Sequence, residues 1–311
     1  YKRQVYGEVR TEEAKPVTLD EFGRRNMVRN VLKDGLVLAR SSGLNPFKPG
    51  FIGSTDTHSA TPGGAEEYNY VGHLGRRDAG YRNVQDHFFD NPGGLAVVWA
   101  EENSRDAIFE GMRRRETYAT SGTRPLVRFF AGADYPADLC SAPDMLETAY
   151  AGGVPMGSEL AATGNSPGFL VSAAMDPGTA AHPGVELQRV QIIKGWLDSA
   201  GRTHEKVYDV AGTANNAAGV DPENCSPTGR GHQNLCTVWR DPQFDHDQAA
   251  VYYLRAVENP SCRYSTWQCN ELPGADRPQH CDNPLVPKVI HERARSSPNW
   301  YTPQGEQGAD T

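Results

Sequence analysis

No stretch of this sequence approaches the roughly 18 consecutive apolar residues that a bilayer-spanning helix needs, so no such span is expected. Positive charge is in short supply too: 31 Lys and Arg stand against 39 Asp and Glu, a formal net charge of −8. That balance argues against electrostatic capture of nucleic acid or of an anionic membrane surface. The one dense basic run, Arg113-Arg114-Arg115, reads as the exposed end of a helix, where positive charge suits the dipole. Cys-x-x-Cys is missing, which removes the regular zinc-ribbon and thioredoxin-like motifs. No signal peptide is visible.

What cysteine there is lies late. Cys140 is followed by Cys225, Cys236, Cys262, Cys269 and Cys281, amid Pro, Asn and Asp of the loop type. A zinc cluster of irregular spacing and a set of disulfides both fit, and the loop setting favours disulfides. Bridges imply an oxidising compartment, periplasmic or extracellular. With 311 residues, 38% of them apolar, the chain can bury one large core or two ordinary ones, and its 32 Gly and 22 Pro predict many loops.

The chemistry concentrates in Phe51 to Gly64, read as a strand running into a ligand loop. Phe51 and Ile52 are strand-type, Gly53 and Ser54 break the pattern, and Pro62-Gly63-Gly64 turns the chain. Between them stand Asp56 and His58, two apart. In an extended segment such residues project to one side, so a carboxylate and an imidazole can converge on a metal ion.

The longer string Gly53-Ser-Thr-Asp-Thr-His58, preceded by Asn45-Pro-Phe-Lys-Pro-Gly-Phe51, resembles the last metal-binding motif of the PHP (polymerase and histidinol phosphatase) superfamily. More narrowly it resembles the DUF3604 branch. Asn30 to Gly43, Gly93 to Arg105, Arg113 to Arg124, Asn259 to Trp267 and Ser297 to Pro303 share that likeness. The resemblance implies Asp56 and His58 as ligands of divalent metal ions (Mn, Zn or Fe) that activate water against a small ester or other anionic substrate. It also implies an early His-x-His pair, and none of the nine histidines lies two from another. The chain is therefore expected to correspond to the C-terminal part of a longer protein, its remaining ligands coming from an N-terminal half or a companion chain. The alternative is a secreted binding or structural module with a degenerate, non-catalytic remnant.

Taken in order, Thr18-Leu-Asp-Glu21 has capping-box spacing, and Phe22, Met27, Val31, Leu32 and Leu36 recur as one helix to about Ala39. Glu67 and His73 follow the ligand loop closely enough to contact substrate. Leu95 to Trp99 is a short apolar run of the buried-strand type, and a helix from 105 to 115 follows it with Ser104 as N-cap and Ile108, Phe109 and Met112 as its buried stripe. Glu102 falls in the loop between them, where barrel enzymes place site residues. Arg124, in Thr117-Tyr-Ala-Thr-Ser-Gly-Thr-Arg124, offers a planar fork of donors to an anionic group.

The expected fold is α/β: residues 1–124 form the C-terminal part of a PHP-like distorted (β/α) barrel with the metal-ligand loop. Residues 125–311 form an antiparallel β-rich, sandwich-like lobe with disulfide-braced loops. Alternation at 168–174, 185–194 (with a slip that allows a bulge) and 249–257 supports the second part.

Overall fold

The computed structural model describes residues 18–72, 74, 90–162 and 164–303. Thr18 caps the first helix by accepting the Glu21 N–H at 3.1 Å. The single helix expected to residue 39 is two, Leu19–Asn26 and Val28–Ser42, because Met27 is extended (φ −102°, ψ 122°). Asn30 Nδ2 donates across the break to Gly23 O, the same carbonyl that accepts the Met27 N–H. Gly43, left-handed at φ 76°, closes the second.

Among the described residues fourteen strands follow: β1 (Leu95–Val98), β2 (Thr117–Thr120), β3 (Leu126–Gly132), β4 (Gly153–Pro155), β5 (Glu159–Leu160), β6 (Gly168–Ala174) and β7 (Leu187–Leu197). After them come β8 (Thr203–Gly212), β9 (Gly219–Val220), β10 (Pro227–Thr228), β11 (Asn234–Arg240), β12 (Ala250–Cys262), β13 (Val289–Ser296) and β14 (Asn299–Tyr301). An eight-stranded sheet is organised on β12, which pairs β7 along one edge and β13 and then β14 along the other. It extends from β7 to β8, from β13 to β2 and β1, and from β14 to β5, the last pair being parallel. A four-stranded antiparallel sheet runs β11-β6-β3-β4, and β9 and β10 pair alone.

The two large sheets pack face to face. Even-numbered β12 residues Tyr252, Leu254 and Ala256 meet Phe129 of β3 and Phe169 and Val171 of β6 in one buried cluster. Each large side chain so buried contributes about 1.5–3 kcal/mol before entropy is charged. Odd-numbered Val251 and Tyr253 face the other way, against Leu32 and Leu36 of the helix Val28–Ser42. On the far side of the smaller sheet, Phe130 and Leu170 are covered by Leu139 and by Ala149 of the helix Met145–Gly152. Inside the sandwich, Lys194 of β7 donates to Asp241, just past β11, at 2.5 Å, with both side chains at most 2% exposed. That ion pair pins one sheet to the other.

This architecture corrects the expected (β/α) barrel: the sheets are open, almost wholly antiparallel, and no barrel closes. The misleading step was strand, polar loop, helix at 95–115. The helix Arg105–Arg113 does connect β1 to the next strand, but β2 returns antiparallel beside β1, Leu95 opposite Thr120, instead of crossing over. Ser104 caps this helix as expected, its Oγ accepting Ala107 N–H at 3.2 Å. Its apolar stripe is not buried: Phe109 is 60% and Met112 49% exposed, and Gly111 makes the close approach to Trp99. A helix so loosely seated turns the chain back and covers no sheet. The large sheet also crosses position 124, since β2 hydrogen-bonds to β13.

Three disulfides are present, Cys140–Cys236, Cys225–Cys262 and Cys269–Cys281. The first ties the turn Leu139–Ser141 to β11. The second fastens the β9–β10 loop to the end of β12. The third holds the helix Tyr264–Glu271 to the turn Gln279–Asp282. Among the described residues, no helix is long and apolar enough to cross a membrane.

Candidate functional site

The segment after Phe51 is laid along β1 and β2 by backbone polarity. Phe51 N–H donates to Ser297 Oγ (2.8 Å), Thr117 Oγ1 donates to Phe51 O (2.9 Å), Gly53 N–H to Leu95 O (3.1 Å) and Gly94 N–H to Ser54 O (2.8 Å). A Cβ on Gly53 would stand 2.6 Å from Leu95 O, so only glycine allows this approach. From 51 to 64, exposed and half-buried residues alternate, and Asp56 and His58 are both exposed. Asp56 is left-handed (φ 53°), so the extended geometry expected to bring the pair to one side does not hold at that residue. A non-glycine residue held there costs about 1–3 kcal/mol and is a feature that clusters at functional sites. Hydroxyls brace the turn, Thr57 Oγ1 to Ser59 Oγ at 2.6 Å and Ser59 Oγ to Thr61 Oγ1 at 2.8 Å.

Among the described residues, no third His, Cys, Asp or Glu joins Asp56 and His58 in a group tight enough to hold an ion. The group that does satisfy that closeness is the exposed Asp245, His246 and Asp247. His73 lies outside the described residues. Glu102 is exposed at the start of the helix Arg105–Arg113 and lines neither of the cavities described next.

Past the loop, Ala65 to Tyr68 becomes the wall of a cavity of about 600 Å³. The structure brings Glu67 and Arg124 together here, with Asp176, His182, Trp267 and Glu292. Arg124 Nη2 donates to Glu66 Oε1 (2.7 Å) and Gly63 O (3.2 Å), while its backbone N–H donates to Asp176 Oδ2 (2.8 Å). Its fork is therefore partly committed to holding the loop's end. Tyr68 stacks on His182, ring centroids 3.8 Å apart, and His182 meets Trp267 edge to face at 6.3 Å. The Cys225–Cys262 bridge contributes to the same wall. A second cavity of about 470 Å³ adjoins the first, and Glu67 and Glu292 border both.

Three carboxyls are taken out of water at this end of the large sheet. Burial pushes Glu67 up to about 8, with Glu292 adding to it, while the Tyr264 N–H bond and Arg263 pull the other way. Burial likewise raises Glu258 to about 8, against a 2.7 Å hydrogen bond from Thr123 Oγ1. Glu292 rises to about 7 by burial, opposed by its bond from Ser121 Oγ and by nearby Arg293. Glu258 is 1% exposed, and its Oε2 has no hydrogen-bond partner. Carboxylic acids that keep their proton into the neutral range can donate hydrogen bonds and protons. Sequence reasoning missed Glu258, Glu292 and His182. A signal existed for one of them: in Glu292-Arg-Ala-Arg-Ser296, Glu292 is in phase with the inward Ala294 and Ser296.

The family described as "Protein of unknown function (DUF3604)" matches residues 4–303, and the chain belongs to it. An uncharacterized protein of Chlamydia trachomatis serovar D is 30% identical over 154 residues, and one of Chlamydia muridarum 29% identical over 154 residues. Each alignment covers 47% of this chain and 21% of the relative, so the chain matches about a fifth of the length of these relatives. No solved structure matches the chain significantly.

Proposed function

We propose that this member of the DUF3604 family works as part of a metal-dependent hydrolase of the PHP type, acting on a small ester or other anionic substrate in the periplasm or outside the cell. One observation carries the reading. Asp56 and His58 are both exposed on a braced loop whose direct continuation, Ala65 to Tyr68, lines the 600 Å³ cavity. A carboxylate and an imidazole suit Mn, Zn or Fe, and two ligands fall short of the three that a catalytic zinc site uses. The remaining ligands come, on this reading, from an N-terminal half or a companion chain. A divalent ion bound there supplies activated water and polarises the ester oxygen.

The chain's own residues do the rest. Asp56 and His58 hold and orient the ion. Glu67, protonated into the neutral range, can pass a proton to a leaving group, and Arg124 fixes both the loop and an anionic substituent. The three disulfides fit the oxidising compartment.

The test uses the intact protein containing this chain. Elemental analysis and anomalous scattering should find a metal bonded to Asp56 and His58, and Asp56→Ala and His58→Ala should each lower metal affinity by roughly tenfold or more. Both variants should lose turnover on a panel of phosphate, carboxylic and sulfate esters with the fold unchanged by circular dichroism. An unchelated protein without metal, or turnover unaltered by both substitutions, would sink the proposal and leave the secreted binding module in its place.

A further inference from the structure

Antiparallel register sets Arg255 of β12 directly opposite Arg295 of β13, with Arg293 two residues along on the same face. Like charges directly opposite in a sheet destabilise it, so this arrangement runs against the stability of the fold. The arginines on β12 and β7 are partly answered: Arg255 Nε donates to Gln191 Oε1 at 2.7 Å, and Arg189 lies 3.4 Å from Asp209. Arg29, on the helix that crosses this face, pairs with Glu205 at 2.9 Å. Arg293 and Arg295, both exposed, have no ion pair and no side-chain hydrogen bond among the described residues. The chain carries a formal charge of −8, yet among the described residues no acid stands in ion-pair contact with Arg293 or Arg295.

Arg293 and Arg295 line the 470 Å³ cavity beside Arg263 and Asn91. Arg263 is committed, donating to Ser265 Oγ at 2.9 Å and to Asp90 O. Asn91 accepts the Gly93 N–H through Oδ1 at 2.8 Å, which leaves its amide N–H groups for a ligand. The acids on the wall, Glu67 and Glu292, are the two held towards neutrality by burial, so they oppose an anion weakly. Burial first, and after it the charge of neighbouring arginines, lowers the affinity of Arg255 and Arg295 for their protons.

We infer that this cavity is an oxyanion site: Arg293 and Arg295 grip a compact, multiply charged phosphate or sulfate group, free or at the end of a larger molecule. Guanidinium forks match tetrahedral oxyanions with paired hydrogen bonds, and a bound dianion turns the Arg255–Arg295 repulsion into shared attraction. Neither Asp56 nor His58 lines the cavity, which shares Glu67 and Glu292 with the larger one.

The experiment is calorimetric titration and thermal melting with inorganic phosphate, inorganic sulfate and a phosphomonoester. It runs in chelator, so that it stands apart from the metal reading, and at ionic strength matched with chloride. Phosphate or sulfate should bind and raise the melting temperature of the unmodified protein. Arg293→Gln and Arg295→Gln should each weaken binding roughly tenfold or more, while Arg202→Gln, at an exposed arginine paired to Asp198, should not. Without anion, Arg295→Gln should melt no lower than the parent, because Arg255 loses a like-charged neighbour. Arg295→Lys, which keeps charge and loses the fork, should fall between. The phosphomonoester binding like inorganic phosphate identifies the terminal group as the ligand, whereas tighter binding identifies a larger molecule carrying it. No binding beyond chloride, or an equal melting shift in the parent and both glutamine variants, overturns the site.

Discussion

Lys194 and Asp241 lie between the sheets, and Glu67, Glu258 and Glu292 lie at one end of the larger sheet; both sets are removed from water and they are handled in opposite ways. Asp241 is answered fully, by Lys194 Nζ at 2.5 Å, Tyr252 Oη at 2.9 Å and Gln243 N–H at 2.9 Å. Glu258 has one hydroxyl donor and an oxygen with none. An ion pair with satisfied neighbours holds the sandwich in register, whereas a carboxyl short of partners escapes its cost by keeping a proton. The contrast separates a region whose buried charges are paired from one whose buried acids are left short of partners.

The largest way to break it is Lys194→Met, which strands Asp241 as a buried uncompensated charge. Urea unfolding should show a loss of about 3–5 kcal/mol, and a loss under 1 kcal/mol would mean the pair is no pin. Removing the bridge that spans the longest segment, Cys140–Cys236 (separation 96), by paired serine substitution should cost about 2–5 kcal/mol, measurable as a lowered melting temperature that reducing agent no longer affects through this bridge.

The acid end is probed by pH. Glu258 and Glu292 hold protons up to about 8 and about 7, against an ordinary value of 4.5, so the folded state binds protons that the unfolded chain releases. Their contribution is fully present below about 4.5 and is lost as pH rises through 7 and 8. Glu258→Gln should flatten that slope and be more stable than the parent at high pH by on the order of a few kcal/mol, read from unfolding curves across pH. Identical slopes would show that Glu258 is ionised in the folded protein. The smallest effect is expected for Arg124→Ala at its half-exposed pair with Glu66: about 0–1 kcal/mol in stability, with any larger consequence confined to substrate binding.

What the sequence makes legible rests mostly on short-range physics. The Thr18 and Ser104 caps, the strands β6, β7 and β12 and the bulge in β7 are each decided within a few residues, and the crowding of late cysteines in loops points to their bridges. That no barrel closes was not legible, since pattern at 95–115 shows a strand and a helix but not the direction in which the next strand returns. Glu67 is legible by its nearness to the loop and Arg124 by its guanidinium fork, and both line the larger cavity. Glu258 and His182 were out of reach: they join the cavity end through β12 and the 178–183 turn, a juxtaposition made only by tertiary pairing.

The hydrogen bond from Phe51 N–H to Ser297 Oγ joins residues 246 apart, and β2 finds its sheet only through β13. Contacts of such long range are late events, since the chain between them must be ordered before they repay its loss of freedom. During synthesis the segment carrying Asp56 and His58 therefore meets β1 and β2 early but waits for Ser297, 246 residues beyond Phe51, before that layer is anchored to the large sheet. In that interval the β1–β2 hairpin lacks its β13 partner and is open to pairing with another nascent chain. The order of assembly thus makes the anchoring of the Asp56 and His58 loop a reporter of the docking of β13.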